Sequence, residues 1–270
     1  MPSPLRVAIA GFGSIGRLVG RKLDAGIPGL QLVAVSAARL DRARERLEEF
    51  RRPVPAVPLA RIADDADVVV ECSLPETFAD AFAPAIARAR TIVTVSATAL
   101  LEHPEVVARA QAAGSRIILV SGSVAGLDAL RAASVGTIRS VRMITRKPPL
   151  SLARSPWLAR QGIDVAQIRT PIKVFDGSAR DAARNFPDKF NLAATVALAG
   201  IGADRTQIEI WLDPGVERNV HRIAVDADST CFEVEIQNVP NPGHEGTGPL
   251  VAYSIIAALK DLTATLRVGT

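Results

Sequence analysis

Cysteine, histidine and aromatic side chains are scarce in this 270-residue chain, and each scarcity excludes something. The two cysteines, Cys72 and Cys231, stand far apart and at no metal-ligand spacing. A disulfide framework and a zinc site are therefore excluded, no metal is expected, and reduced thiols in a cytosolic protein are the economical reading. Aromatic residues make up 4% of the chain, too few for the stacking surface of a nucleic-acid binder. The charge surplus is small, 32 basic against 28 acidic residues. The two signs are also interleaved, as in Asp41-Arg42-Ala43-Arg44-Glu45-Arg46-Leu47-Glu48-Glu49, which reads as a solvated helix face. No nucleic-acid partner is expected. No stretch approaches the roughly 20 apolar residues that span a bilayer. Met1-Pro2-Ser3-Pro4-Leu5-Arg6 runs directly into a strand instead of a signal segment. The expectation is a soluble, cytoplasmic protein without a membrane partner.

What is present is an ordinary globular balance, 48% hydrophobic and 22% charged, over a length that suits two domains. The short apolar run Leu5–Ala10 ends in glycine, and apolar positions at Ile15, Leu18, Val19 and Leu23 then predict a helix over 14–25. A strand over 31–35 and a charged helix over 39–52, closed by Pro53, complete a βαβ unit. Strands at 67–72, 91–95 and 116–120 alternate with helices at 78–89 and 104–113. That rhythm predicts a Rossmann-type, doubly wound parallel sheet over residues 1–122. From 123 to 248 the rhythm changes. A Pro-containing polar stretch leads to strand segments 207–212, 220–225 and 231–237 joined by short loops, so a second, α+β domain with a mainly antiparallel sheet is expected. The apolar segment from about 249 to 270 has helical spacing and is expected to pack back on the first domain.

Gly11-Phe12-Gly13-Ser14-Ile15-Gly16 is G-x-G-x-x-G, placed between a strand and a helix as dinucleotide binding requires. Gly11 permits the turn, Gly13 gives a pyrophosphate access to the backbone, and Gly16 lets helix and strand close up. Ser14 and Ile15 open the helix whose N–H groups face the phosphates. The second strand ends Val35-Ser36-Ala37-Ala38-Arg39, with no acid before Asp41 to bind a ribose 2′-hydroxyl. Arg39 is thus a candidate for a 2′-phosphate, which favours NADP over NAD, or else it simply starts a solvated helix. Of the three histidines, His103 precedes Pro104 in a polar helix start and reads as a surface residue. His244 lies in a loop that is either a lid or a connection. His221 sits where a loop enters a strand and is either a proton-transfer group or a strand histidine.

Several ordered blocks together resemble the L-aspartate dehydrogenases, NAD(P)-dependent amino-acid dehydrogenases. They are Ser121-Gly122-Ser123-Val124-Ala125-Gly126-Leu127-Asp128-Ala129-Leu130, Thr145-Arg146-Lys147-Pro148-Pro149, Phe175-Asp176-Gly177-Ser178-Ala179-Arg180, the segment from Asn191 to Gly200, and Asp213-Pro214 through His221. The resemblance implies that Ala125 and Asn191 contact the cofactor and that His221 is catalytic. It also implies oxidative deamination of L-aspartate to iminosuccinate, then oxaloacetate and ammonium. The substrate partner is then a small amino acid or oxo acid, and a homodimer is the default assembly. Other readings are an imine or carbonyl reductase, an amine dehydrogenase for another substrate, and a non-catalytic nicotinamide-binding regulator. Arg146 and Lys147 are either carboxylate ligands or a solvated basic turn. Two stretches depart from the family pattern. Pro-x-Asn-x-Asn reads Pro187-Asp188-Lys189-Phe190-Asn191, and the Asn-Pro-x-Thr-Ser loop reads Asn241-Pro242-Gly243-His244-Glu245-Gly246-Thr247-Gly248, both at positions suited to a substrate shell.

Overall fold

A computed structural model describes residues 3–186, 190–239 and 248–269. The chain divides into two compact units, Met1–Gly122 with Val251–Val268, and Ser123–Leu250 with Gly269–Thr270.

In the first unit, β1 (Leu5–Ala10), α1 (Ser14–Ala25), β2 (Leu30–Ser36), α2 (Leu40–Leu47), β3 (Val68–Glu71), α3 (Phe78–Ala87), β4 (Thr91–Thr94), α4 (Ala97–Glu102), α5 (Pro104–Ala112) and β5 (Arg116–Leu119) follow one another. The strands form a parallel sheet in the order β2-β1-β3-β4-β5. A parallel sheet covered on both faces needs continuous apolar runs instead of alternation, and Val68-Val69-Val70 is such a run. Val68 and Val70 join Val7, Ile9, Val19 and Leu23 in one core, while Val69 joins Ala8, Ile92, Phe78 and Phe82 in another. The strand order reverses beside β1, so the turn leaving β1 lies at the switch point where open α/β sheets take ligands.

The helix α2 ends at Leu47, short of the expected 52. The Asp24 carboxylate accepts the backbone N–H groups of Arg51 and Arg52, which satisfies those donors outside a helix.

The second unit contains α6 (Leu127–Ala133), β6 (Ile138–Lys147), α7 (Pro156–Arg160), β7 (Ile172–Ser178), α8 (Ala179–Asn185), α9 (Asn191–Ala199), β8 (Thr206–Leu212), β9 (Val220–Ala227) and β10 (Cys231–Gln237). Its sheet runs β10-β9-β6-β8-β7, antiparallel except for the β6–β8 pair. β8 and β9 are successive in sequence yet do not pair, because β6 lies between them and the loop 213–219 crosses it. β7 and α8 occupy a region whose sequence shows no apolar alternation. Lys173, Asp176 and Gly177 interrupt the pattern, and a register shift between Lys173 and Phe175 lets Val174 and Phe175 both be buried.

The last helix, α10 (Pro249–Asp261), buries Ala252, Ile255, Ile256 and Leu259 in the core shared with β1 and β3. It stops before the expected end because Leu262 and Thr263 turn back in short-range bonds to Leu259 and Lys260. Among the described residues no helix is long and apolar enough to cross a membrane. If α10 is integral to the first unit, Ile255→Ala will cost about 2–5 kcal/mol, measured as a lowered midpoint of urea unfolding with cofactor-free protein. An unchanged midpoint would show that this helix contributes nothing to that core.

Candidate active site

The glycine turn is built by backbone contact. Gly11 has φ +100°, and a Cβ there would lie 2.4 Å from the Cys72 carbonyl oxygen. A Cβ on Gly16 would meet the Gly11 carbonyl at 2.0 Å. These two glycines are demanded by the protein itself. Gly13 is different: it caps α1, and a Cβ there would meet nothing within 4 Å. Open space over a glycine that packing does not require fits a ligand approaching the backbone. Ser14 and Ile15 begin a helix with no side-chain cap and no acid in its first turn, so its N-terminal N–H groups and positive dipole end face that space without competition. The residues present fit a bound dinucleotide.

One contributor was hidden in the mixed-charge helix. Arg46 donates from Nη1 to the Phe12 carbonyl at 3.1 Å, bringing a guanidinium to the turn. Burial, and next the Arg46 and Arg21 charges, lower the proton affinity of Arg17 on α1. Positive charge therefore collects beside the turn, although the sequence presents Arg46 as one member of a solvated face. Arg39 caps α2 three residues beyond β2, with its guanidinium 2.9 Å from the Asp41 carboxylate. Both side chains are exposed, so this pair is held weakly and can exchange for another anion. Cys72 is no nucleophile: its thiol donates to the Gly11 carbonyl at 3.1 Å, and burial and the Glu71 charge raise its pKa.

In the second unit, His221 lies on β9 directly opposite Thr145 of β6. The His221 Nδ1 and Thr145 Oγ1 are 3.1 Å apart, and both side chains are buried. Side chains alternate across a strand, so Lys147, two residues beyond Thr145, shares its face, while Arg146 points to the other. The contacts agree. Lys147 is buried at 6% exposure and its charge acts on His221. Arg146 instead pairs with Asp213 at 2.9 Å and lies 5.1 Å from the centre of the Trp211 ring. The two adjacent cations thus separate, with Lys147 beside the histidine and Arg146 in a structural pair. Burial, then the Lys147 charge, push the His221 pKa down to about 3. The ring is neutral at pH 7.

Ala125 is exposed in the loop before α6. That loop is anchored by Gly126 at φ +78°, where a Cβ would lie 2.8 Å from Val234. Asn191 is the exposed first residue of α9, and its carbonyl accepts from Thr195 Oγ1 at 2.8 Å. The first unit thus holds Gly11, Gly13, Ser14, Ile15, Gly16 and Arg39, and the second holds Ala125, Asn191 and His221. Lys189 and His244, with the loop 241–247, lie outside the described residues. His103 is half exposed, bonded to Glu105 at 2.9 Å and stacked on Phe78, as a helix-start residue should be.

A glycine turn at the switch point of a parallel sheet, together with a second unit carrying a buried neutral histidine, defines a nicotinamide-dinucleotide-dependent oxidoreductase. Residues 11–120 match the model of the homoserine dehydrogenase NAD-binding domain, and residues 128–262 match that of the aspartate dehydrogenase C-terminal domain. The chain is 44% identical to an L-aspartate dehydrogenase of Bradyrhizobium diazoefficiens, covering 99% of this chain and 95% of that protein. It is 39% identical to L-aspartate dehydrogenase 3 of Bordetella bronchiseptica, covering 98% of each. In fold it resembles the crystal structure of aspartate dehydrogenase from Thermotoga maritima, with a TM-score of 0.76 at 23% identity over 98% of this chain and 99% of that one. The chain belongs to the L-aspartate dehydrogenase family, oxidoreductases acting on CH–NH2 donors.

The lowered His221 pKa has a consequence for stability. Between pH 6.5 and about 3 the unfolded chain binds a proton that the folded ring refuses. This contribution is therefore fully present above pH 6.5 and is lost as pH falls. Urea unfolding at pH 7 and pH 4.5 should show a larger loss for the wild type than for His221→Asn. Equal losses would mean that the folded ring takes up protons as readily as the unfolded one.

Proposed function

We propose that this protein oxidatively deaminates L-aspartate with a nicotinamide dinucleotide, giving iminosuccinate and, after hydrolysis, oxaloacetate and ammonium, with reductive amination as the reverse. The observation that carries this reading is the buried pair of His221 and Lys147 on one face of the second sheet. The Lys147 charge disfavours a proton on His221, and a carboxylate brought beside them opposes that effect and lets the ring take up a proton, which suits an anionic substrate. The bound cofactor supplies the hydride acceptor at its nicotinamide ring.

The chain's own residues do the rest. The N–H groups from Gly13 to Gly16 bind the pyrophosphate, and Ala125 and Asn191 hold the nicotinamide end. Lys147 binds a substrate carboxylate, and His221 takes the proton from the substrate amine or activates the water that hydrolyses the imine. For Nε2 to act as the base, Nδ1 must carry its own proton, and the Thr145 hydroxyl oxygen at 3.1 Å accepts that hydrogen bond. A dicarboxylate beside the ring raises its proton affinity from the ligand-free value, so the base gains strength when substrate arrives. Arg39 exchanges Asp41 for a 2′-phosphate, which favours NADP over NAD. The reading extends to a cytoplasmic location and to a homodimer, the latter supported by the sheet face opposite His221, which leaves Ile144 and Trp211 partly exposed.

Purified protein with aspartate and either oxidised cofactor should produce reduced nicotinamide absorbance, and oxaloacetate with ammonium should consume it. No turnover in either direction, with cofactor demonstrably bound, would overturn aspartate as the substrate. His221→Ala should lower kcat by about 10²–10⁴-fold while NADH affinity is retained. Parallel loss of both would assign His221 a structural role. For Arg39, replacement by Asp should weaken NADPH binding roughly tenfold or more and leave NADH binding unchanged. Equal effects on the two cofactors would remove Arg39 from the phosphate site.

A further inference from the structure

Glu71 is the last residue of β3, and its side chain is fully buried. It forms no ion pair among the described residues. Its Oε1 accepts the Ser73 N–H at 2.9 Å and the Ser73 hydroxyl at 2.7 Å, and its Oε2 accepts the Thr94 hydroxyl at 2.5 Å. Thr94 Oγ1 in turn accepts the Ser96 N–H at 3.0 Å. In the sheet, Glu71 stands between Ala10 of β1 and Thr94 of β4. Beyond Ala10, the Gly11 carbonyl accepts the Cys72 thiol at 3.1 Å, and the Cys72 N–H bonds to Ala10 at 2.9 Å. The turns that follow β1, β3 and β4 are therefore tied into one line of bonds across the carboxyl ends of three adjacent strands.

Packing alone does not ask for a carboxylate here. One step earlier on the same face, Val69 and Ile92 fill the equivalent layer with apolar side chains. A buried carboxylate without a cation is costly, and burial raises the proton affinity of Glu71 against the opposing bonds from Thr94 and Ser73. The bonds it makes reach Ser73 directly and Ser96 through Thr94, at the carboxyl ends of the strands where a ligand of this fold lies. The inner side of the β3 turn is tied down, while its outer side leaves Leu74 at 64% exposure.

We propose that Glu71 is a positioning residue for the nicotinamide dinucleotide: its carboxyl group ties the turns 72–74 and 95–96 to each other, beside the glycine turn that the Cys72 thiol bonds, so that the ligand-binding edge is ordered before the ligand arrives. This rests on the reading of the first unit as the cofactor domain. Order established in the free protein is not paid again on binding, so loss of the clamp appears in affinity.

The test is NADH fluorescence titration of the full chain, with thermal unfolding in parallel, for wild type, Glu71→Gln, Glu71→Ala and Thr94→Val. Glutamine can still accept the Ser73 bonds and can donate to Thr94 Oγ1, so it should bind within about threefold of wild type. Glu71→Ala and Thr94→Val should bind about tenfold or more weakly, measured well below their own unfolding midpoints. If Glu71→Ala does not fold, Thr94→Val and Glu71→Gln decide the matter. Wild-type affinity in Thr94→Val or in folded Glu71→Ala would overturn the proposal, and so would a glutamine variant as weak as alanine, since charge and not position would then be at work. A wild-type chain that binds no dinucleotide would overturn the cofactor reading itself and this proposal with it.

Discussion

In the first unit two backbones approach with no room for a side chain between them. The Cys72 carbonyl stands where a Cβ on Gly11 would be, and the Gly11 carbonyl stands where one on Gly16 would be. This contact lets the chain leave β1, reverse, and begin α1 within three residues. The turn is held from both sides, since the Gly11 N–H bonds to Ser36 on β2 and the Cys72 N–H bonds to Ala10. A helix N-terminus aimed from such a fixed turn keeps its direction without a capping side chain. The open space over Gly13 and the gathering of Arg17 and Arg46 both follow from that fixed direction.

The second unit solves a different problem, which is how to keep a histidine buried and uncharged without losing its hydrogen bond. Pairing of β9 with β6 sets Thr145 opposite His221, so the ring has a partner that carries no charge. Alternation along β6 then decides the fate of the two adjacent cations. Lys147 falls on the buried face, and Arg146 falls where Asp213 and Trp211 receive it. A shift of register by one residue would exchange them, placing a guanidinium beside the imidazole and breaking the Asp213 pair. Asp213 also accepts the Gly215 N–H at 2.8 Å, so the same carboxylate shapes the loop that leads into β9.

The parallel sheet and its glycine turn were legible because local patterns dictate them: apolar runs, glycine at fixed offsets, and regular alternation of strand and helix. The second sheet was legible only in part. Its strands 207–212, 220–225 and 231–237 could be read, but the insertion of β6 between β8 and β9 is a long-range pairing that leaves no local mark. β7 was hidden by Lys173, Asp176 and Gly177, whose polarity suits an edge strand and resembles a loop. At the candidate site, the residue types of the glycine turn carry their own explanation, whereas His221 on its own was balanced between two roles. The separation of Arg146 from Lys147 follows from strand alternation, once a strand is known to run as far as Lys147. Arg46 and Glu71 gave no signal, because an arginine on a charged helix and a glutamate at a strand end are both ordinary until their partners are known.

On the proposed reading, the electrostatics of the second unit bear on selectivity as well as on rate. The ligand-free chain holds an imidazole beside an ammonium in a buried setting, and the ammonium disfavours a proton on the imidazole. An amino acid with one carboxylate brings one negative charge to this pair, while a dicarboxylate brings two. The second carboxylate both balances Lys147 and allows His221 to hold a proton, so it acts on the chemical step and not on binding alone. A site that uses the extra charge in this way rejects the shorter monocarboxylate more strongly than a shape-matched apolar pocket could, since a missing methylene alone is worth only about 1–3 kcal/mol. The discrimination arises from the same burial that keeps the histidine neutral, so making this pocket wetter would weaken selectivity while raising the proton affinity of the ligand-free ring.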